Sequence, residues 1–313
     1  MLVKTVRESI DLPEGQSFRL LRWSRNLREV DSVLANGEAR RISGEGVHWH
    51  RHLEMELTLF TSGDGTRFVG DHIGGFAAGD LVLLGTNLPH HWHTRGESSG
   101  VSMQWHFPPE HPFWAFPENL PLLAAFRRAE RGLRITGPAA RLIAELMLEL
   151  AAARGPARLA ALLEVLARVA EVPARAARPL SSRSFGLSSG TRHQKAIAAA
   201  LRHLIANFRD EVRLDEVLQI AGMSRPTFAR QFKQHAGRTF SEFVNRLRLQ
   251  AACRALLESD RGVLEISLEC GFNQISFFNR LFRREFGCSP RDYRNGTGRV
   301  DTKKRPAVER RDA

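Results

Sequence analysis

Residues 271–294 read GFNQISFFNRLFRREFGCSPRDYR, and the fold of the C-terminal third turns on them. Phe278 and Phe282 stand four apart, so on a helix they share one face and belong in a core. Gly271 precedes them at a place where the chain has to turn tightly. The same grammar occurs upstream: EVLQIAGMSRPTFARQFKQHAG (216–237) matches EISLECGFNQISFFNRLFRREFG (265–287). Glu216, Gly222 and Met223 align with Glu265, Gly271 and Phe272 at an offset of 49. Phe228, Arg230, Phe232, Lys233 and Gly237 align with Phe278, Arg280, Phe282, Arg283 and Gly287 at an offset of 50. A unit of about 22 residues is therefore used twice. Each copy is expected to be a helix-turn-helix whose second helix opens on a capping side chain, Ser224 or Asn273.

The polar residues of the two units fall on the open flanks of the second helices. Arg225, Pro226, Thr227, Ala229 and Arg230 do so in the first, and Gln274, Ile275, Ser276, Asn279 and Arg280 in the second. An exposed helix bearing Arg, Gln, Ser and Asn can enter a major groove, with Arg reading guanine and Gln or Asn reading adenine. Lys233, Arg283 and Arg284 are placed for phosphates, which position without specifying. For one unit a merely solvated helix face would explain the arginines equally well; two units in register favour DNA. Between them TFSEFVNRLRLQAACRALLES (239–259) predicts a helix of about 17 residues capped by Ser241, roughly 25 Å long. That length suits two reading heads near successive groove faces about 34 Å apart.

These three stretches together resemble the DNA-binding domain of AraC/XylS-type transcription regulators, over residues 193–296 and above all in SFFNRLFRREFG–SPRDYR. The resemblance implies a seven-helix domain with two helix-turn-helices binding promoter DNA; RNA polymerase and a second copy of the chain, as a homodimer, are further expected partners, with activator and repressor both open. Leu218 departs from it, standing where the family usually has alanine, whereas the second unit keeps a small residue, Ser267.

Charge agrees with a polyanionic partner. Residues 191–313 hold 24 Lys and Arg against 14 Asp and Glu, the rest of the chain 22 against 20. Such a basic block gains affinity for nucleic acid by displacing counterions from phosphates. The three cysteines, Cys253, Cys270 and Cys288, match no zinc module and read as small buried residues in a reducing compartment. No apolar run approaches the roughly 18–20 residues of a membrane span, and the start lacks a signal-peptide core. A cytoplasmic protein that makes no membrane contact is expected.

Residues 1–115 are rich in Gly, Thr, Val and aromatics, with turns at SGDG (62–65) and AAGD (77–80), and read as an antiparallel barrel or sandwich. Residues 116–171 change to Ala/Leu/Arg/Glu stretches. Leu142, Leu146 and Leu150, then Leu159, Leu163 and Leu166, mark two helices broken at Gly155-Pro156, for packing or dimerisation. Residues 172–192 lack periodicity and are expected to link the domains, and 297–313 to form a charged, disordered tail. The expected fold class is α+β: an N-terminal β-barrel with trailing helices, then an all-α domain.

In the front domain HWHRHLEME (48–56) alternates. On a strand His48, His50, His52, Glu54 and Glu56 would share a face, with Trp49, Arg51, Leu53 and Met55 opposite. Gly44, His50-x-His52, Glu56 and Gly63 have the spacing of the first cupin motif, and His90 falls on the histidine of the second. There Gly85, Asn87 and Thr94 replace the Pro, Gly and Asn of the family. By this resemblance His50, His52, Glu56 and His90 converge in a cupin-like barrel, and three imidazoles with one carboxylate suit a divalent ion, Zn, Fe, Ni or Mn. Related barrels on AraC-type domains are mostly sensors of small molecules, often sugars. His48, His50, His52, Glu54, Glu56, His90 and Trp92 are the candidate effector contacts, with Trp49 and Trp105 as further apolar walls or core.

Two functions compete. The first is an effector-responsive transcription regulator, not an enzyme. The second is a cupin metalloenzyme, a dioxygenase or isomerase, fused to a DNA-binding tail. Alkyl-damage repair is set aside because residues 1–252 contain no cysteine to accept the alkyl group.

Overall fold

The computed structural model describes residues 10, 16–43, 49–185 and 193–296. Two compact units divide the chain, the first drawn almost wholly from residues 6–189, the second centred on residues 190–313.

The first unit carries eleven strands among the described residues: β1 (Arg19–Trp23), β2 (Glu29–Val33), β3 (Ala39–Ser43), β4 (Met55–Ser62), β5 (Gly65–Val69), β6 (His72–Phe76), β7 (Leu81–Leu84), β8 (His90–Thr94), β9 (Ser99–Trp105), β10 (Leu133–Ile135) and β11 (Ala177–Pro179). Eight form one sheet in the order β11-β10-β7-β4-β9-β1-β2-β3; the other three form a small sheet, β6-β5-β8. Alternation decides what each face of the large sheet does. Leu21, Trp23, Phe60, Val82 and Leu84 pack with Val69, Phe76 and Trp92 of the small sheet. Their neighbours of opposite parity, Leu20, Leu57, Leu59, Leu83, Val101 and Met103, meet the helices α1 (Leu122–Ala129), α2 (Pro138–Ala152) and α3 (Gly155–Glu171). A large sheet buried on both faces loses the clean polar alternation of a half-solvated strand.

Several sequence expectations change here. The sheet does not end by residue 115, because β10 pairs with β7, and β11 pairs with β10 from inside the expected linker 172–192. Ser181 continues the attachment by donating to Asp71 at 2.9 Å. Strands of three residues carry too little periodicity to stand out between helices. The apolar stripe of α2 is also shifted: Ala140, Ile143, Met147 and Leu150 are buried, whereas Leu142 and Leu148 are exposed. On α3, Leu162, Val165, Leu166 and Val169 face inward while Leu159 and Leu163 are exposed. The expected tail, 297–313, lies outside the described residues.

The second unit is helical: α4 (Gln194–Asn207), α5 (Leu214–Ala221), α6 (Arg225–Ala236), α7 (Phe240–Glu258), α8 (Val263–Glu269), α9 (Ile275–Phe286) and α10 (Pro290–Asn295). Both repeated glycines are left-handed, Gly222 at φ 58° and Gly271 at φ 87°. A Cβ on Gly271 would come 2.6 Å from the carbonyl oxygen of Arg209, so space as well as backbone angle demands glycine there. Helix α7 is a strut apolar at both ends. Near its start Phe243 meets Phe232 of α6 edge-on at 5.5 Å. Further along, Leu249, Ala252, Cys253 and Leu256 join the core made by Ile266, Phe278, Phe282, Phe286 and Tyr293. Its cap is Thr239, not Ser241: Thr239 accepts from the Glu242 amide while the Glu242 carboxylate accepts from the Thr239 amide at 2.8 Å. Such a reciprocal pair closes two donors at once, which a lone serine two residues on does not. The N-cap position of α9 is held by Gln274 rather than Asn273, with no capping bond from its side chain. All three cysteines are buried and form no disulfide among the described residues, and burial pushes the Cys270 thiol up to about 11. Among the described residues no helix is long and apolar enough to cross a membrane.

Candidate metal centre and nucleic-acid interface

The strand expected across 48–56 begins only at Met55. His50 reaches the same place by a different route, through an isolated antiparallel bridge to His90, with amide-to-carbonyl distances of 3.1 and 2.9 Å. The result still brings four of the expected residues together: His50, His52, Glu56 and His90 present ligand atoms all within 4.8 Å of one another. His52, Glu56 and His90 are buried. Asn87 occupies the left-handed region at φ 59°, the conformation a glycine would supply, and its amide donates to the His52 carbonyl at 2.7 Å. Asn is the non-glycine residue that best tolerates this region, so the departure from the motif keeps the turn.

The outer nitrogens of two rings are pinned. His52 Nδ1 lies 2.9 Å from the Glu54 carbonyl oxygen and His90 Nδ1 lies 2.8 Å from that of Leu88. A carbonyl oxygen only accepts, so each Nδ1 carries the proton and each Nε2 turns inward. There His52 Nε2 stands 3.1 Å and His90 Nε2 3.6 Å from Glu56 Oε2. His90 Nε2 is buried without a hydrogen-bond partner. Inward lone pairs facing a carboxylate require positive charge between them, as protons on the rings or as a cation. Burial alone would raise the Glu56 carboxyl, but the hydrogen bond with His52 and the charge of His52 and His90 outweigh it and hold the group well below the usual carboxylate range. Gln104 Nε2 donates to Glu56 Oε2 at 2.8 Å and Thr58 donates to Oε1, fixing the carboxylate from behind. Gln104 had no signal in the sequence, since only strand register brings it opposite Glu56.

The remaining expected contacts divide. Glu54 stands outside the four, its carboxylate 3.5 Å from His52 Nδ1. Trp92 is buried, its ring 5.6 Å from His90. Trp49 is buried against Phe68 at 5.8 Å. His48 lies outside the described residues. Beside the four, a void of about 40 Å³ is lined by His50, Glu56, Thr58, Trp92 and Gln104 among others. That admits an ion or a water, whereas small-molecule pockets run to about 300–1,000 Å³.

In the helical unit the buried faces of α6 and α9 are Phe228 with Phe232 and Phe278 with Phe282. Arg225, Pro226, Ala229, Arg230 and Lys233 are exposed on α6, and Thr227 half-buried. Gln274, Ser276, Arg280 and Arg283 are exposed at and along α9, with Ile275 and Asn279 half-buried. The Arg280 guanidinium rests over the Phe277 ring at 5.4 Å, which steadies it without using its donors. Ser267 is fully buried and donates to the Leu264 carbonyl at 2.7 Å, whereas Leu218 is only half-buried.

A glycine-turned helix pair presenting a basic, polar second helix defines a helix-turn-helix domain, and the family described as "Helix-turn-helix domain" matches residues 217–296. These are the residues whose motifs resemble the DNA-binding domain of AraC/XylS-type regulators. The chain is 39% identical over 117 residues to the HTH-type transcriptional activator RhaS of Salmonella schwarzengrund, covering 37% of this chain and 42% of that protein. It thus spans less than half the length of the curated relatives it matches. Two solved structures are also similar. One is the DNA-binding domain of the global transcriptional factor AdpA in complex with a target DNA, at 29% identity, 32% of this chain, 91% of that chain and TM-score 0.31. The other is an AraC-type regulator from Chromobacterium violaceum, at 28% identity, 34% and 95% coverage and TM-score 0.31.

Proposed function

We propose that this chain is a transcription regulator that binds promoter DNA through two helix-turn-helices and responds to a small molecule through its N-terminal unit. The observation that carries the reading is the repeat itself: two polar helix flanks, on α6 and α9, tied to opposite ends of one strut, α7. At 19 residues that strut is about 28 Å long, close to the spacing of successive major-groove faces. A catalyst fused to a DNA-binding tail would need no such pairing.

In this reading the front unit is a cupin-like barrel in which His50, His52, Glu56 and His90 hold one divalent ion, Zn, Fe, Ni or Mn. The ion supplies the positive charge that the inward Nε2 atoms and the Glu56 carboxylate call for, and orders the junction of β4 and β8. Elemental analysis of the purified chain is expected to find about one equivalent of metal, and His90→Ala to lose most of it. Metal-free protein with unchanged folding would remove the ion from the proposal. The exposed leucines of α2 and α3 are suited to pairing two copies as a homodimer, and the DNA-bound dimer would engage RNA polymerase.

The DNA reading is tested by Arg280→Ala. Binding to the chain's own operator should weaken by about 1–3 kcal/mol, with relaxed choice at one base pair, as loss of a bidentate base contact requires. Equal weakening on random DNA would make Arg280 a phosphate contact, and no preferred site for the unmutated chain in footprinting would end the proposal.

A further inference from the structure

A second cavity lies in the N-terminal unit, on the face of the large sheet turned away from the metal-ligand cluster, and it is the larger by far. Its volume is about 810 Å³, against about 40 Å³ beside the four ligands. The walls are the rings of Trp105, Phe107, Trp114, Phe126 and Phe185, with Arg127 at the rim. They come from the end of β9, the irregular segment that follows it, helix α1 and the chain after β11.

These walls are built in advance. The Trp114 indole donates to the carbonyls of Phe107 and Pro108 at 3.1 and 3.0 Å, so its polar edge is satisfied within the segment. Phe107 stacks on Phe113 at 4.2 Å, and Asn119 Nδ2 donates to the Phe113 carbonyl at 2.8 Å. Phe126 stands 5.9 Å from both Trp105 and Trp114. Leu120 and Leu123, which also line the cavity, are 49% and 37% exposed, leaving apolar surface to be covered. Arg127 is exposed on α1, so its guanidinium is open to an occupant. Glu130, one turn along α1, shares the lining and disfavours more than one negative charge in the occupant.

We propose that the effector of this chain is received in this outer aromatic cavity, as a flat apolar molecule bearing one acidic group that meets Arg127, and not in the inter-sheet space beside His50 and Glu56. The word effector rests on the regulator reading; the site and its ligand class do not. Aromatic walls supply dispersion and area burial to a flat ring system, and a guanidinium supplies forked donors to one anionic group. The inter-sheet void, about 40 Å³, has room only for an ion or a few waters.

The test uses the full chain and two probes with the same rings: 8-anilinonaphthalene-1-sulfonate, and N-phenyl-1-naphthylamine, which lacks the sulfonate. Both should bind once per chain with enhanced emission. Arg127→Met should weaken the sulfonate about ten-fold and leave the amine unchanged, since a charge-assisted hydrogen bond is lost and the apolar walls stay. Leu123→Trp, which fills the mouth, should exclude both, while Trp92→Phe beside the metal ligands should alter neither. Equal behaviour of both probes with Arg127→Met overturns the acid contact. Loss of binding through Trp92→Phe but not Leu123→Trp overturns the location. Neither readout involves DNA, so absence of an operator would end the regulator reading without touching this one.

Discussion

Phe282→Ala is expected to destabilise the helical unit by about 3–5 kcal/mol, the usual cost of truncating a fully buried aromatic. Phe282 has no exposed surface and is the node of its core, with ring centroids of Phe286, Tyr293 and Phe278 at 4.6, 5.4 and 5.5 Å. A domain's whole stability is about 5–15 kcal/mol, so one such loss brings this unit near its limit. Spectroscopy can separate it from the rest: the five tryptophans all precede residue 115. Far-UV circular dichroism should report an earlier transition while tryptophan emission keeps its midpoint. Phe277→Ala, at a half-buried neighbour, should cost clearly less. Equal and small losses at both positions would mean that the core of α9 is not where the repeat and the ring contacts place it.

That core was legible in the sequence because its signals are local. Phenylalanines four apart, a glycine at each turn and a second copy to check against all fall between residues 216 and 287, and helical periodicity is a short-range property. The cluster of three histidines and Glu56 was legible for a partly different reason. The alternation of 48–56 offered five residues and the cupin-like spacing singled out His50, His52 and Glu56, which the fold brings together with His90; of those three only Glu56 stands on a strand, and the bridge between His50 and His90 does the rest. Capping was misplaced by one or two residues at α7 and α9, where Thr239 and Gln274 take the position assigned to Ser241 and Asn273. The outer cavity left no trace at all. Its lining is drawn from Met55, Trp105, Arg127 and Phe185, residues as far as 130 positions apart, and no periodicity links them.

Asp80 shows the same limit from the energetic side and carries the second large effect. In the sequence it closes the AAGD turn (77–80); in the fold the residue is 3% exposed and its carboxylate is shared by two arginines from different sheets. Arg67 of β5 donates to Oδ2, and Arg134 of β10 donates to Oδ1 at 2.9 Å. Burial pushes the Arg67 guanidinium below its usual value while Asp80 works against the shift. Asp80→Ala should therefore cost about 3–5 kcal/mol, because it strands a buried cation. That is on the order of 10 °C in the tryptophan-detected melting temperature. Arg134, whose side chain is 24% exposed, can turn to water; Arg67, at 3%, cannot, so most of the loss should be traceable to Arg67. Combining Asp80→Leu with Arg67→Met should then recover much of the stability, as replacing a whole buried pair by apolar side chains does elsewhere. If the double variant melts no higher than Asp80→Ala, the pair is not the tie between the two sheets, and the loss must lie in the turn that Asp80 occupies.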